Sequence, residues 1–263
     1  MTPFVSVEGL SKTYTARSLL RRSRAATHAV RDVSFAIARN TIMGLAGESG
    51  SGKSTLARAL VHLDPPSSGE VRVAGIPLAR LGRRGLRKAR RRMQIVFQDP
   101  HGALNPRLRI KYSLGEALAN AGVPRRERRA RAVELLRLVG LGPEHLDRYP
   151  RAFSGGQKQR IVIARALAGK PEFLILDEPV SSLDVSIQAQ IINLLMDLKQ
   201  RFGLTYLFIS HDLSLVSYVS DSIGILQDGR LVEYGPAEQV LKQPRSEYTR
   251  ALFDASPAMH RER

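Results

Sequence analysis

The sequence predicts an α/β protein with a mostly parallel sheet, and two observations support that fold class. From about residue 155 onward, short apolar strands alternate with helices, which is the pattern of parallel strands joined by helical crossovers. A glycine-rich loop also stands between an apolar strand and a helix at residues 47–55. Because ligands of such sheets gather at the carboxyl ends of the strands, we expect the functional residues there.

The N-terminal part is predicted to form an antiparallel β portion ahead of the core. Residues 4–10 and 30–38 alternate like half-buried strands, the second with Val33, Phe35 and Ile37 on one face. The basic, polar residues 16–27 between them are predicted to form a loop. Residues 41–46 form a short apolar strand that leads into the glycine-rich loop, and a helix is expected at 54–62.

The middle of the chain is predicted to interrupt the core with a helical insertion at about 99–154. Strands come before it, and the strand–helix alternation resumes after it. The predicted strands are 70–73, 93–97, 173–176 and 205–209; the predicted helices are 113–121, 126–139, 156–168 and 185–201; turn signals lie at 99–102 and 105–106.

The composition excludes several classes of site. The 263 residues include no cysteine, so disulfides, thiolate zinc sites and iron–sulfur clusters are excluded. No run approaches the roughly 18–20 apolar residues that cross a bilayer, and residues 1–4 lack the charged-then-apolar layout of a secretory signal. We therefore expect a cytoplasmic protein without a membrane-spanning helix.

The net charge of +17 allows three interpretations. Much of it lies in two arginine-rich runs, Arg83–Arg92 and Arg125–Arg131, which could be solvated helix faces, a surface for anionic lipid headgroups, or a nucleic-acid surface. The first run has no interleaved aromatic residue, and neither matches a nucleic-acid motif. Solvated helix faces are therefore the preferred interpretation, and no specific nucleic acid is expected as a partner.

The glycine-rich loop matches a phosphate-binding loop. In such loops, glycines let successive backbone N–H groups turn inward toward phosphate oxygens. Lys53 then reaches the β- and γ-phosphates, and the Ser54 hydroxyl is placed on Mg²⁺. The predicted nucleotide-binding residues of the loop are Gly47, Glu48, Ser49, Gly50, Ser51, Gly52, Lys53, Ser54 and Thr55.

Two carboxylates follow the buried strand at 173–176. Asp177 is placed to hold Mg²⁺ directly or through water, and Glu178 is placed to polarise an attacking water as general base. Together with the loop, they predict ATP and Mg²⁺ as cofactors.

The segment Ser154-Gly155-Gly156-Gln157 lies between these motifs. Ser154 is a good N-cap, and the two glycines permit close approach of a phosphate to the helix that follows. With this segment, the chain resembles the ATP-binding subunit of an ABC transporter over nearly its whole length. In that family these residues face the ATP bound to a second subunit, so ATP closes a pair of subunits.

The same resemblance implies roles for four further residues. Gln98 would contact Mg²⁺ and the water, and His211 would contact the γ-phosphate and orient that water. Asp184 would carry information between the two sites of the pair, and Tyr14 would stack on adenine. The implied fold is a P-loop NTPase core over residues 1–245, followed by a C-terminal tail at 246–263.

Three segments resemble one branch of the family, the ATPases of oligopeptide, dipeptide and nickel importers. They are residues 98–107, 185–190 and 247–252. Two departures from the family pattern, Phe153 for leucine and Ser182 for alanine, remove no catalytic group.

That branch implies an assembly at the cytoplasmic face of the inner membrane. The implied partners are a second, identical or different ATPase subunit, two integral membrane permeases and, indirectly, an extracytoplasmic binding protein. The substrate would be a peptide, nickel or a metal–chelator complex. Two alternatives stay open: a soluble ABC ATPase that acts on nucleic acid or ribosomes, and the ATPase subunit of an exporter.

Overall fold

The computed structural model describes residues 3–16 and 25–255. Within these residues the chain divides into two compact units. The first unit comprises Met1–Leu86 and Thr205–Arg263, and the second comprises Arg87–Leu204.

The elements alternate along the chain as strands and helices. The strands are β1 (Val5–Ala16), β2 (Ala25–Ile37), β3 (Ile42–Ala46), β4 (Ser68–Val73), β5 (Ile76–Pro77), β6 (Met93–Val96), β7 (Phe173–Asp177), β8 (Thr205–Ile209), β9 (Ser222–Gln227) and β10 (Arg230–Pro236). The helices are α1 (Lys53–Leu60), α2 (Arg83–Arg92), α3 (Pro100–Ala103), α4 (Ile110–Asn120), α5 (Arg128–Leu138), α6 (Gly155–Leu167), α7 (Val185–Phe202), α8 (Leu213–Val219), α9 (Ala237–Lys242) and α10 (Glu247–Asp254).

The first unit contains an antiparallel sheet and a mainly parallel one. The antiparallel sheet has the order β2-β1-β4-β5, and in the second sheet the strands of this unit follow the order β10-β9-β3-β8. β9, β3 and β8 are parallel, and β10 is antiparallel to β9. Every residue of β3 and β8 is buried, as expected for parallel strands covered on both faces. The predicted antiparallel portion and mostly parallel core are confirmed.

The second unit combines one parallel strand pair with helices. β6 and β7 pair in the register Met93–Phe173 to Val96–Leu176, so both strands end at the same edge. Buried residues of α7 recur at helical spacing and face the core of the unit, at Ile191, Leu195 and Leu198. None of the described helices is long and apolar enough to span a membrane.

The structure corrects two local predictions. Ala16 ends β1 and Ala25 begins β2, so residues 16 and 25–27 of the predicted loop at 16–27 belong to strands; residues 17–24 lie outside the described part. The turn predicted at 99–102 leads into α3 instead. Its Asp99 carboxylate accepts a hydrogen bond from the Gly102 backbone N–H at 2.9 Å, so Asp99-Pro100 is a helix start rather than a turn.

Candidate functional site

The phosphate loop between β3 and α1 takes a conformation that only glycine permits at two positions. The φ angle is 148° at Gly47 and 107° at Gly52. A Cβ at Gly47 would lie 2.1 Å from the Leu226 carbonyl oxygen, and one at Gly52 would lie 2.3 Å from the Ala29 carbonyl oxygen. Both obstructing atoms are backbone, so a side chain at either position would displace the loop.

Lys53 is the buried cation of this loop. It begins α1, is only 6% exposed, and its Nζ donates to the carbonyl oxygens of Gly47 and Glu48, each at 2.7 Å. Ser54, half-buried, is the next residue of α1. The ammonium group and the helix N-terminus concentrate positive potential within the loop. This arrangement fits the phosphate groups that the sequence predicts there.

His211 lies at the same edge of the sheet as the phosphate loop. β3 and β8 run in parallel register, with Leu45 opposite Ile209, and the Ser210 backbone N–H donates to the Leu45 carbonyl at 3.2 Å. The next residue, Asp212, caps α8 by accepting from the Ser214 backbone N–H at 2.9 Å. The strand end and this cap fix the backbone on both sides of His211, whose side chain is exposed.

Tyr14 is tied to a residue that the sequence analysis missed. Its hydroxyl donates to the Asp64 carboxylate, which also accepts from Lys12 Nζ. Lys12 donates a further hydrogen bond to the Pro65 carbonyl at 2.7 Å, and its Nζ lies 5.2 Å from the centre of the Tyr14 ring. The Tyr14 side chain remains 39% exposed, so the ring is held in place yet still open to a ligand.

The contact between Tyr14 and Asp64 shifts the pKa of both groups. The hydrogen bond from Lys12, followed by the one from Tyr14, lowers the pKa of Asp64 below 3.8. The bond to Asp64 raises the pKa of Tyr14 above 10.0, and burial and the Asp64 charge act in the same direction. A hydrogen bond from Thr55, in the first turn of α1, acts in the opposite direction and lowers the pKa of Tyr14.

The C-terminal segment also reaches the phosphate loop. The Glu48 backbone N–H points to the Tyr248 hydroxyl at 3.4 Å. The start of α10 is fixed by Glu233, a buried carboxylate that accepts from the backbone N–H groups of Arg245 at 2.8 Å and Ser246 at 3.1 Å. The segment 247–252, noted in the sequence only as a branch resemblance, therefore lies beside the predicted site.

In the second unit, the structure brings Gln98 and Glu178 together. Each follows the end of one strand of the parallel pair β6–β7, and Gln98 Nε2 donates to Glu178 Oε2 at 3.0 Å. Asp177, the last residue of β7, is 3% exposed, whereas Glu178 is half-buried. The two adjacent carboxylates thus have different environments.

The backbone of Glu178 is in the left-handed region, with φ at 49°. Few residues other than glycine adopt this conformation, and it persists where the surroundings enforce it. Here the Glu178 carbonyl accepts from the Ser181 backbone N–H at 3.4 Å and from the Ser181 hydroxyl at 3.2 Å. These two bonds form a turn directly after β7, and the turn sets the direction of the Glu178 side chain.

Ser154 caps α6 in the predicted manner. Its Oγ accepts from the Gln157 backbone N–H at 3.3 Å, and the Gln157 side chain accepts from the Ser154 backbone N–H at 3.1 Å, which completes a capping box. A Cβ at Gly156 would lie 2.5 Å from Cγ2 of Ile187, and one at Gly155 would lie 3.1 Å from Leu183. Close packing within the chain therefore also requires small residues here.

Asp184 stands at the start of α7 and is exposed. Its carbonyl accepts from the backbone N–H groups of Ile187 and Gln188, each at 2.9 Å, while its side chain makes no capping bond. The following residue, Val185, is 81% exposed. Both side chains are thus available to a second molecule.

The predicted magnesium ligands are oxygen donors, as Mg²⁺ requires. They are Ser54 in the first unit and Gln98 and Asp177 in the second. Residues 3–16 and 25–255 contain no group of three or more His, Cys, Asp or Glu side chains that could hold a metal ion. Mg²⁺ is usually bound through one or two carboxylates together with substrate phosphates and water, so the Asp177 carboxylate at the end of β7 fits a nucleotide-bound ion.

Comparison with known proteins identifies the family. The ABC transporter family model matches residues 30–181. A Brucella ovis protein, provisionally named a peptide import ATP-binding protein, is 48% identical over 98% of this chain and 80% of its own length. The di/tripeptide transport ATP-binding protein DppF of Pseudomonas aeruginosa is 44% identical over 99% of this chain and 81% of its length. The structure of the ATP-binding cassette MJ0796 bound to ADP and phosphate superimposes with a TM-score of 0.76 and 30% identity, covering 89% of this chain and 98% of that one. The glycine loop around a buried lysine and the capped Ser-Gly-Gly-Gln helix agree with these similarities, and the chain belongs to the ABC transporter family.

Proposed function

We propose that this chain is the ATP-hydrolysing subunit of a membrane importer for peptides. The observation that carries the proposal is the phosphate loop, in which Gly47 and Gly52 shape the backbone around the buried Lys53 ammonium group. The relatives named for peptide import and di/tripeptide transport support the substrate class.

The first unit supplies the groups that bind ATP. The backbone N–H groups of the loop and Lys53 hold the phosphates, and Thr55 at the start of α1 completes the loop. Tyr14 stacks on the adenine, held in place by Asp64. His211, positioned between Ser210 and Asp212, contacts the γ-phosphate.

The second unit supplies the groups that act on water. Glu178 accepts the proton of the attacking water, and Gln98, which donates to Glu178 in this structure, helps to position that water. Asp177, and Ser54 of the first unit, would be ligands of Mg²⁺, which would neutralise negative charge on the phosphates. Phosphoryl transfer depends mainly on positioning and charge stabilisation, so the protein needs few groups for the chemistry.

The site is completed by a second ATPase subunit. Ser154, Gly155, Gly156 and Gln157 at the start of α6 bind the ATP of the partner, and Asp184 links the two sites. Their exposure at helix starts supports this role for Ser154 and Asp184, because a residue that serves another subunit must be accessible. ATP then closes the pair, and hydrolysis opens it.

We also propose how the subunit is placed. Residues 1–245 form the ATP-binding domain, with the helical insertion at about 99–154, and residues 246–263 form a tail. Two permeases hold the pair of ATPases at the cytoplasmic face of the inner membrane, and an extracytoplasmic binding protein delivers the substrate. Nickel or a metal–chelator complex is the alternative cargo that the branch resemblance allows.

The Glu178→Gln variant tests the ATPase mechanism. It keeps the size of the side chain and its contact with Gln98 but removes the proton acceptor, so hydrolysis should fall by about 10²-fold or more while ATP binding remains. Turnover is measured by phosphate release, and binding by a fluorescent ATP analogue. The control is Glu127→Gln, which changes a carboxylate that pairs with the exposed Arg126. Near-normal hydrolysis by Glu178→Gln would remove Glu178 from its role.

Copurification from the native cell tests the transport assignment. The tagged chain should copurify from detergent-solubilised membranes with integral membrane permeases, and uptake of radiolabelled peptide should fail in cells that carry only Glu178→Gln. Defective efflux with normal uptake would indicate an exporter. Ribosomal or DNA-binding partners without a permease would contradict the transport assignment and leave the ATPase mechanism standing.

A further inference from the structure

The second unit contains a groove that the nucleotide site does not use. Its volume is about 690 Å³, and it is walled by α5, by the segment between α6 and β7, and by the C-terminal end of α7. Pro171 and Glu172 of the groove directly precede β7, whose opposite end carries Asp177 and Glu178. A five-residue strand separates the two ends by about 15 Å, so the groove is distinct from the site described above.

The floor of the groove is aliphatic. Leu138 of α5 lines it and is half-buried; Leu135, Leu167 and Leu204 lie around it and are 3%, 6% and 1% exposed. Phe202, at the end of α7, stands at the margin with 46% of its surface exposed. A concave surface of this kind can bury apolar side chains of a ligand, which a flat or fully polar surface cannot do.

The rim of the groove is cationic. Both carboxylates that line it are engaged, Glu134 with Arg131 and Glu172 with Arg92. Three further cations at the rim, Arg137, Lys170 and Arg201, are exposed, and within residues 3–16 and 25–255 none of them has a carboxylate within ion-pair distance. The rim therefore carries uncompensated positive charge over an apolar floor.

The two arginine-rich runs of the sequence both contribute to this surface. Arg131, the last residue of the second run, lines the groove. Arg92, the last residue of the first run, bonds to Glu172 at 2.6 Å, and the Arg92 carbonyl accepts from the Glu172 backbone N–H at 2.8 Å. No residue of α2 is buried.

We propose that this groove, hereafter the basic groove, binds an acidic amphipathic segment of a partner protein. Apolar side chains of the segment cover the leucine floor, and its carboxylates pair with Arg137, Lys170 and Arg201. This is the helix-in-groove mode of recognition with charge complementarity at the rim. A lipid surface would meet the outer cations but leave the concave floor unfilled, and a nucleic acid would find one aromatic side chain rather than a stacking platform.

A designed peptide tests the proposal with the full chain. The probe is a fluorescein-labelled amphipathic peptide of about 16 residues, long enough to form a helix, with leucine on one face and glutamate on the other. Fluorescence anisotropy should show saturable binding. A peptide with lysine in place of glutamate, and one with serine in place of leucine, should both bind at least about tenfold more weakly, because each loses one half of the recognition.

Charge reversal locates the binding. The double variant Arg137→Glu with Arg201→Glu should weaken peptide binding by about tenfold or more. The matched control, Arg126→Glu with Arg148→Glu, makes the same change of net charge at exposed residues outside the groove and should bind normally. The Phe202→Ala variant should bind the leucine-containing peptide more weakly, and its binding of the serine-containing peptide should not change. ATP hydrolysis should be unchanged in all three variants, which separates this test from the proposed nucleotide chemistry.

Three results would overturn the proposal. Equal weakening by the groove and control variants would mean that the peptide responds only to net charge. Equal binding of the leucine and serine peptides would mean that the floor is not used. Binding of phosphatidylglycerol vesicles that the groove variants abolish, with no peptide binding, would assign the surface to lipid.

Discussion

The backbone conformation of Glu178 determines where its carboxylate points. Its φ of 49° belongs to a region that costs a non-glycine residue on the order of 1 kcal/mol, and the two hydrogen bonds from Ser181 hold it there. The same turn points the carboxylate at Gln98. Strain at this position is therefore coupled to the geometry that the proposed mechanism needs.

Asp64 should control the acidity of Tyr14. The Asp64→Asn variant removes the negative charge beside the phenol, so the pKa of Tyr14 should fall toward 10.0. NMR titration of tyrosines labelled at Cζ measures it, with Tyr14→Phe to assign the signal. As a control, Asp197→Asn on α7 should leave the pKa of Tyr14 unchanged; an unchanged pKa in Asp64→Asn as well would show that the contact does not persist in solution.

The two pKa shifts at Tyr14 and Asp64 act on stability in opposite pH ranges. The pKa of Asp64 is lowered in the fold. Its contribution to the stability of the fold is therefore present above pH 3.8 and is lost as the pH falls through the lowered pKa. The pKa of Tyr14 is raised in the fold. Its contribution to stability is therefore present below pH 10.0 and is lost as the pH rises through the raised pKa. Between these ranges the contact is intact.

Helices α6 and α7 approach each other closely where Gly156 meets Ile187. The Gly156→Ala variant should destabilise the protein by about 1–3 kcal/mol, because its Cβ would lie 2.5 Å from a methyl group of Ile187. Urea denaturation measures the change. Gly115→Ala in α4 is the control: its Cβ meets nothing within 4 Å, so it should stabilise by about 0.5–1 kcal/mol.

A second substitution checks the cause of that destabilisation. In an Ile187→Ala background the obstructing methyl group is gone, and the cost of Gly156→Ala should fall. If the cost stays the same, the contact with Ile187 is not the cause of the destabilisation.

The elements near the phosphate loop could be predicted because their signals are local. A strand, a glycine loop and a helix follow one another at residues 41–62, and Ser154 caps the helix that it precedes. The prediction of a turn at Asp99-Pro100 is wrong because this residue pair begins helices as well as turns, and the local sequence does not distinguish the two. Asp64 could not be found, since 50 residues separate it from Tyr14 and no local pattern marks such a contact.

The net positive charge of the chain opposes the pairing that the proposed cycle requires. Two identical chains would each carry +17, so association should be easier at salt concentrations that screen the repulsion. Measurements on pairs of this chain therefore belong at moderate rather than low ionic strength.

Mixing two inactive variants tests whether two copies of the chain share their sites. Lys53→Ala disables the loop, and Ser154→Asp keeps an N-cap but places a negative charge toward the partner's phosphates. A mixed pair regains one intact site, so an equal mixture should recover up to about a quarter of wild-type ATPase activity. Phosphate release measures the recovery.

The control mixture combines Lys53→Ala with Glu178→Gln. Both residues are proposed to serve the ATP of their own chain, so no mixed pair has an intact site and the mixture should stay inactive. Failure of the first mixture at every ratio and salt concentration would mean that this chain does not complete the site of a second copy, and would favour a different ATPase subunit as its partner.

The contact of Tyr248 with Glu48 gives the protein an intrinsic optical reporter. The chain has no tryptophan, so its near-ultraviolet emission comes from seven tyrosines alone. Tyr248 and Tyr14 both lie beside the phosphate loop, one at its Glu48 backbone and the other next to Thr55. Nucleotide titrations can therefore be followed by tyrosine fluorescence without any label, and the Tyr14→Phe and Tyr248→Phe variants separate events at the base from events at the phosphates.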